Sequence, residues 1–177
     1  LDVLDALDID VIAIADGATN AFPQPGLWHP YDFNGRLDAM VLSHADRDHS
    51  GGAWSVAEEL QVARLLTSLP DGHELLALSL AQQPCRDGEH WEWDGVHFEL
   101  LHPAVNDVDR YRKSNDLSCV LRVTAAGRSA LLTSDIEARA EAALLVRHGP
   151  RLAGDVLLVP PHGSRTSSSP AFVAAVG

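Results

Sequence analysis

The sequence predicts an α+β fold in which two mixed sheets lie between outer helices, a four-layer αββα sandwich. Apolar runs at residues 91–93 and 96–101 flank Asp94 and Gly95, a strong signal for a two-residue turn between antiparallel strands. Elsewhere a short apolar strand leads into a helix, as in a parallel sheet. The chain has 177 residues, 46% apolar and 21% charged, so we expect one globular domain over residues 1–177 with a substantial core.

Hydrophobic periodicity places the remaining elements along the chain. Strands are predicted at residues 11–15, 37–43, 62–67, 117–124, 128–133 and 155–159, with a second hairpin turn at residues 125–127. Helices are predicted from residue 53, at residues 75–83, at residues 136–147 and after Ser169-Pro170. That pair combines an N-cap residue with a proline suited to the first helical position. Residues 18–36 are rich in proline, glycine and asparagine and are predicted to form an irregular loop.

The net charge and the two cysteines bear on how the chain could bind nucleic acid and on its redox state. The net charge of −12 has the wrong sign for a broad basic surface, so a nucleic acid would have to be held locally, by metal ions and a few basic side chains. Cys85 and Cys119 show no pairing signature, and we expect buried free thiols, with a disulfide as the alternative and the compartment left open. No apolar stretch approaches the roughly 18 to 20 residues that span a bilayer, so the chain is expected to be soluble.

Residues 41–52 carry the densest group of metal-ligand side chains. A buried strand is predicted at the start, and four ligand types follow it, His44, Asp46, Asp48 and His49. Burying these groups in a packed core costs free energy of solvation that nothing in an apolar core offsets. Buried charges are therefore normally paired or bound to a metal. The glycines at 51–52 let the backbone pass close to such a site. The alternative is a solvated turn that caps the next helix; the full pattern favours the metal site.

Three further positions place a ligand type at the end of an apolar strand. Asp135 follows residues 131–134, His162 follows residues 156–161, and Asp116 comes just before the strand predicted at residue 117. Binding groups often lie on loops at strand ends, where a rigid core positions them. Each residue also has an ordinary interpretation, as a helix N-cap, a loop histidine and a turn residue, respectively.

The order of these motifs resembles the metallo-β-lactamase superfamily. His-x-Asp-x-Asp-His-x-Gly-Gly at 44–52 is followed by Ser-Asn-Asp-x-Ser at 114–118, Leu-Leu-Thr-Ser-Asp at 131–135 and His-Gly-Ser-Arg-Thr-Ser at 162–167. The sequence is most similar to the C-terminal metallo-β-lactamase-like domains of ComEC competence proteins, the membrane channels for DNA uptake in natural transformation. The similarity runs from about residue 16 to residue 176.

This resemblance implies a two-metal site at one edge of an αββα sandwich. The implied metal ligands are His44, Asp46, Asp48, His49, Asp116, Asp135 and His162. The first two hold one metal, Asp48, His49 and His162 hold the other, and Asp135 bridges both. Asn115 or Asp116 takes the third ligand position, and Asp16 supports the site from behind. The catalytic residues are expected to be His44, Asp48 and Asp135.

The sequence also departs from the family pattern. The family has Leu-Asp-Val-Gly-Gln-Gly near its start, whereas Leu4 follows Val3 here. Pro161 stands where family members commonly have the first of two histidines. The family also continues into further strands beyond the position of Gly177. We therefore expect a domain truncated at both ends and part of a bacterial inner-membrane protein, with the side of the membrane left open.

The ligand types favour phosphodiester chemistry. Two divalent ions about 3.5 to 4 Å apart can share a hydroxide and stabilise both the attacking and the leaving oxygen. Asp46 stands where many hydrolytic relatives have histidine, and this oxygen-rich set favours manganese, with zinc and magnesium as alternatives. Ser164 and Arg165 lie in a run of hydroxyls before a helix, which can seat a phosphate or simply cap the helix.

Our leading hypothesis from the sequence is a metal-dependent nuclease. It would act through phosphate contacts on DNA, expected to be single-stranded, and degrade the strand that is not imported, with the parent channel and the competence machinery as partners. The first alternative is a hydrolase of a small carbonyl substrate on the same fold. The second is a catalytically weak docking or gating domain of the transporter, which Pro161 and the altered N-terminus favour.

Overall fold

The computed structural model describes residues 36–159 and 166–177, which divide into two compact units. The first unit contains residues 36–84, and the second contains residues 85–159 and 166–177. The strand predicted at residues 11–15 lies outside the described part, as does the loop predicted at 18–36 except for its last residue. The described helices and mixed sheets confirm the α+β class. The assignment of one domain to residues 1–177 stays a prediction.

The first unit is built on parallel strands. Strand β1 (Arg36–Leu37) pairs with β3 (Gln61–Val62), and β2 (Met40–Leu42), β4 (Arg64–Thr67) and β5 (Ala81–Pro84) form a three-stranded sheet with β4 in the middle. Helices α1 (Arg47–Ser50) and α2 (Ala53–Glu59) follow β2 and supply the crossover that parallel strands require. Leu42, Leu65 and Leu75 form the buried core with Ala53 of α2.

The prediction of a helix at residues 75–83 is wrong. This stretch contains a short 3-10 helix, Glu74–Ala77, and then the strand β5. The Gln82 amide donates to the carbonyl oxygens of Leu76 and Leu78, at 3.0 and 2.8 Å, while the backbone of β5 pairs with β4. Pairing with β4 is a tertiary effect that local periodicity does not report, and it overrides the helical pattern.

The second unit contains a five-stranded sheet. Strands β6 (His90–Trp93), β7 (Val96–His102), β8 (Val120–Ala125) and β9 (Arg128–Leu132) run antiparallel in sequence order, and β10 (Val156–Leu158) pairs in parallel with β9. Both predicted hairpins are confirmed. Asp94 and Gly95 have φ values of 49° and 81°, and Ala126 and Gly127 have 48° and 76°. Positive φ at both central residues is the geometry of a tight two-residue hairpin turn.

Helices cover one face of this sheet in the second unit. Helix α3 (Asp107–Arg110) is one turn long, whereas α4 (Ala138–His148) and α5 (Pro170–Val176) pack on the strands. Leu144 and Phe172, from the two longer helices, are buried together with Leu101 and Leu131 from the sheet. The predicted cap of the last helix is confirmed, since the Ser169 hydroxyl accepts a hydrogen bond from the Phe172 N–H at 3.4 Å.

The two cysteines form a disulfide, so the prediction of free thiols is wrong. Cys85 directly follows β5 and Cys119 directly precedes β8, and their Cα atoms lie 5.7 Å apart. Both residues are buried in the second unit. The 34 positions between them carry no local signal, because the fold alone decides whether distant cysteines meet.

Candidate metal centre

The ligand loop, residues 43–52, begins with a fully buried histidine just past the end of β2. His44 has 0% of its surface exposed. Its Nδ1 lies 3.0 Å from the Ser43 hydroxyl, and its Nε2 lies 3.7 Å from Oδ2 of Asp46. The second distance is too long for a hydrogen bond. It suits two atoms that bind the same ion, because each metal–ligand bond is about 2.0 to 2.2 Å long.

A tight helical turn brings the second histidine to the first. The N–H groups of His49 and Ser50 both donate to the Asp46 carbonyl at 2.9 Å, and the Ser50 hydroxyl donates to the Ala45 carbonyl. The rings of His44 and His49 then lie 4.3 Å apart, with ligating nitrogens within 4.8 Å of each other. Nε2 of His49 also lies 3.7 Å from Oδ2 of Asp48. The turn therefore forms two adjacent imidazole–carboxylate pairs.

Helix capping, which was part of the alternative interpretation of this turn, is not observed here. Asp46 is the N-cap residue of α1 and Gly52 that of α2, and neither helix has a side-chain cap hydrogen bond. Gly51 is required for a steric reason, because a Cβ atom there would lie 2.6 Å from the Arg47 carbonyl oxygen. The glycine thus allows a close approach to the backbone of the same turn, whereas the predicted approach of residues 51–52 to a metal site stays a prediction.

In the second unit, Asp135 lies just past the end of β9. It is buried and follows Ser134, whose φ of 49° is unusual for a residue other than glycine. The Thr133 hydroxyl donates to the Leu158 carbonyl at 2.6 Å and so links the ends of β9 and β10. Glu137 is the N-cap residue of α4, so the interpretation of Asp135 as its N-cap is wrong. A backbone in this conformation, beside a buried carboxylate, is typical of a functional site.

Asp116 lies in the 3-10 helix Asn115–Leu117, also in the second unit, and only 2% of its surface is exposed. Its carboxylate accepts a hydrogen bond from the Glu137 N–H. Within the described part of the chain, Oδ1 has no hydrogen-bond partner. Burial, and secondarily the negative charge of Glu137, raises the pKa of Asp116 above its usual value. A buried carboxylate oxygen without a donor fits a cation, and Asp116 meets this test better than the half-buried Asn115.

Four predicted site residues are not placed. Asp16, His162, Ser164 and Arg165 lie outside the described residues, and their roles stay predictions. Arg110, Arg112 and Lys113 form a basic cluster just before Asn115. Lys113 pairs with Glu137 at 2.7 Å, whereas Arg110 and Arg112 are exposed. One of these three cations is therefore bound to a carboxylate of the chain itself.

Sequence reasoning missed a buried polar network around His102. This histidine lies in none of the sequence motifs, yet its Nε2 lies 2.8 Å from the Asp116 carbonyl oxygen and its Nδ1 lies 2.7 Å from the Arg147 guanidinium. Arg147 also pairs with Asp107 at 2.6 Å. A signal was present, because His102 ends the apolar strand β7 just as Asp135 follows β9. Its partner Arg147 lies 45 positions away and has no such signal.

The comparison with curated proteins gives clear relatives. Competence protein ComA of Neisseria gonorrhoeae is 37% identical over 91% of the chain. Recombination protein 2 of Haemophilus influenzae is 36% identical over 75%, and ComE operon protein 3 of Bacillus subtilis is 30% identical over 78%. The chain is a homologue of ComEC-type competence proteins.

The resemblance of the motifs to ComEC competence proteins is therefore confirmed, although no family model matches the sequence. The aligned parts make up 22%, 16% and 18% of these three relatives, so the ComEC homologue spans about a fifth of their length. Across the described residues, no helix has the length and apolar character needed to cross a membrane.

Solved structures similar to this ComEC homologue include metallo-hydrolases. A metallo-β-lactamase from Cronobacter sakazakii with a HARLDQ motif has a TM-score of 0.48 and 17% identity, covering 79% of this chain and 68% of its own. Igni18, a metallo hydrolase from Ignicoccus hospitalis, has a TM-score of 0.45 and 17% identity, covering 74% of this chain and 54% of its own.

Proposed function

We propose that this chain is a metal-dependent phosphodiesterase that cleaves DNA during uptake, degrading the strand that is not imported. The observation that carries the proposal is the pair of adjacent histidines in the ligand loop, each with a carboxylate oxygen 3.7 Å from its Nε2. The homologues support the setting, since they include a competence protein and a recombination protein.

Two divalent ions would be held by the ligand types already described. His44 and Asp46 would bind one, Asp48, His49 and His162 the other, Asp135 would bridge them, and Asp116 would add a third ligand. When bound, such ions lower the pKa of water and neutralise charge on phosphodiester oxygens. The share of carboxylates, with Asp46 in particular, favours manganese, with zinc and magnesium as alternatives.

The chain's own residues would hold these ions in place and limit contact with DNA. Burial of His44 keeps water from competing for its ring nitrogen, and the turn at Asp46 fixes the spacing of the loop ligands. The net charge of −12 repels the polyanion elsewhere, so phosphate contact is confined to the metals and a few cations such as Arg165. Single-stranded DNA is the proposed substrate form.

The homologues also suggest a larger context. Because the chain aligns with about a fifth of each relative, we propose that it is one domain of a membrane-associated DNA channel that works with the competence machinery. Deletion of this domain from the parent protein is expected to lower transformation by donor DNA. Transformation at the normal frequency would contradict this role.

A cleavage assay tests the activity. The manganese-loaded chain is expected to hydrolyse bis-p-nitrophenyl phosphate and single-stranded DNA but not nitrocefin or a lactone, and Asp48→Ala is expected to abolish both activities. Asp38→Ala is a matched control, because Asp38 lies in an exposed pair with Arg36 and should leave turnover unchanged. Full activity in Asp48→Ala would contradict the proposal. Turnover of the carbonyl substrates alone would favour the carbonyl hydrolase, and no turnover would favour the docking or gating role that Pro161 suggests.

A further inference from the structure

We propose that His102 is a positioning residue for Asp116: its ring, fixed by Arg147, holds the main chain of the 3-10 helix Asn115–Leu117 so that the Asp116 carboxylate faces a bound cation. This inference rests on the proposed function, since it takes Asp116 as a metal ligand. It concerns hydrogen bonds within the second unit only.

The two hydrogen bonds of His102 define a single state of its ring, although Oδ2 of Asp107, which is paired with Arg147, also lies 3.4 Å from Nδ1. A guanidinium can only donate hydrogen bonds, so Nη2 of Arg147 donates to Nδ1 of His102 at 2.7 Å. A carbonyl can only accept, so Nε2–H of His102 donates to the Asp116 oxygen at 2.8 Å. The ring is therefore neutral with its proton on Nε2, and both nitrogens are satisfied. Burial, as the largest influence, lowers the pKa of His102, in agreement with a neutral ring.

Two carboxylates fix Arg147 in turn. Nη1 of Arg147 donates to Oδ2 of Asp107 at 2.6 Å, and its Nε lies 3.4 Å from Oδ2 of Asp87. Asp107 is 1% exposed, and the same Oδ2 also accepts from the Ala104 N–H at 2.9 Å. The guanidinium cannot turn away from His102 without leaving a buried carboxylate unpaired, which is costly. Arg147 therefore keeps the His102 ring in one orientation.

The bond from His102 reaches Asp116 on the main chain, which leaves the carboxylate available for a ligand. The Glu137 N–H orients that carboxylate, while Oδ1 has no hydrogen-bond partner within the described residues. Cys119, three residues further on, is bonded to Cys85 and restricts the segment a second time. Supporting hydrogen bonds of this kind matter for metal sites, where their loss typically weakens metal binding by about 10- to 100-fold.

A pair of amide variants separates positioning from packing. In His102→Gln the longer side chain can place an N–H near the former Nε2 and reach the Asp116 carbonyl. In His102→Asn the amide lies near the former Nδ1 and reaches only towards Arg147. We expect the manganese dissociation constant, measured by calorimetry, to rise about 10- to 100-fold in His102→Asn and to stay close to wild type in His102→Gln. Urea unfolding, measured in parallel, should show both variants folded.

A double-mutant cycle with Asp116→Asn gives the decisive result. If His102 acts through Asp116, His102→Asn weakens manganese binding in the wild-type background but has no further effect in the Asp116→Asn background. Additive losses, or equal losses in the two amide variants, would overturn the inference. If His102→Asn does not fold, Arg147→Lys replaces it in the cycle, because one ammonium group cannot replace the contacts to both His102 and Asp107. Unchanged binding in Asp116→Asn, or no manganese binding by the wild type, would refute the ligand role itself and with it the inference.

Discussion

Among the residues that the structure describes, two histidines are completely buried, one in each unit, and different groups contact their ring nitrogens. His44 lies two residues beyond the end of β2, and its Nε2 faces a carboxylate while a second imidazole lies beside its ring. His102 ends β7, and its Nε2 faces a carbonyl. Its Nδ1 lies 2.7 Å from the guanidinium of Arg147 and 3.4 Å from Oδ2 of Asp107, a carboxylate that Arg147 itself binds. The same residue type, near the end of a strand and with the same burial, is therefore suited to different tasks.

The difference shows that burial alone does not identify a metal ligand. A cation close to a ring nitrogen repels a metal and occupies the lone pair that would bind it. A carboxylate 3.7 Å from Nε2 of His44 can instead add a second ligand and offset the charge of the ion. The Asp107 carboxylate near His102 is already paired with Arg147. The neighbours of each ring thus decide its role, and substitutions at the two sites should have different consequences.

The largest expected effect is the loss of metal binding in His44→Ala. This change removes a ligand, so manganese affinity should fall by more than the roughly 10- to 100-fold expected for a supporting residue, and phosphodiesterase turnover should become undetectable. Calorimetry and the DNA cleavage assay measure the two effects. His97→Ala, at an exposed histidine of β7, is the control and should change neither. Metal binding by His44→Ala at the wild-type level would remove the distinction between the two buried histidines.

Reduction of the disulfide should have the next largest effect, which is a loss of stability. With 34 positions between the cysteines, losing the bond is expected to cost about 3 to 4 kcal/mol in the free energy of unfolding. Urea unfolding with and without reductant measures this change. The double variant Cys85→Ser/Cys119→Ser should resemble the reduced wild type and no longer respond to reductant. Equal stability in both redox states would show that the segment around Asp116 does not depend on this bond.

A smaller loss of stability is expected when Asp107, the carboxylate that pairs with Arg147 next to His102, is replaced by a neutral residue. Asp107→Asn leaves Arg147 without its strongest partner in a buried setting, and we expect about 3 kcal/mol of destabilisation. Asp38→Asn breaks the exposed pair with Arg36 and should cost less than about 1 kcal/mol. Urea midpoints of the two variants give the comparison directly. Similar values would mean that the buried pair behaves like a surface pair.

The smallest expected effect is a pH dependence that belongs to His102. Burial lowers its pKa in the folded chain below the ordinary value of 6.5, so the unfolded chain takes up a proton first as the pH falls. The stability that this group contributes is present above pH 6.5 and is lost as the pH falls towards the folded pKa, by at most about 1.4 kcal/mol per pH unit. Urea unfolding between pH 8 and pH 5 measures the slope. It should be shallower in His102→Gln, and an unchanged slope would assign it to other groups.

Local patterns predicted the hairpin turns and the cap of the last helix, and contacts between residues far apart in the sequence explain what these patterns missed. The hairpin turn at Asp94 and the cap at Ser169 depend on neighbouring residues, so their sequence signals were sufficient. The strand β5 depends on pairing with β4, and its own periodicity predicted a helix. Cys85 and Cys119, like His102 and Arg147, are also joined by contacts between residues far apart in the sequence. Neither pair carries a local signal.

The most direct test of the central claim is a calorimetric titration of the metal-free chain with manganese. The account predicts about two ions bound per wild-type chain and fewer in Asp48→Ala, with Asp38→Ala matching the wild type. Two ions bound equally well by wild type and Asp48→Ala, or none bound by the wild type, would contradict it.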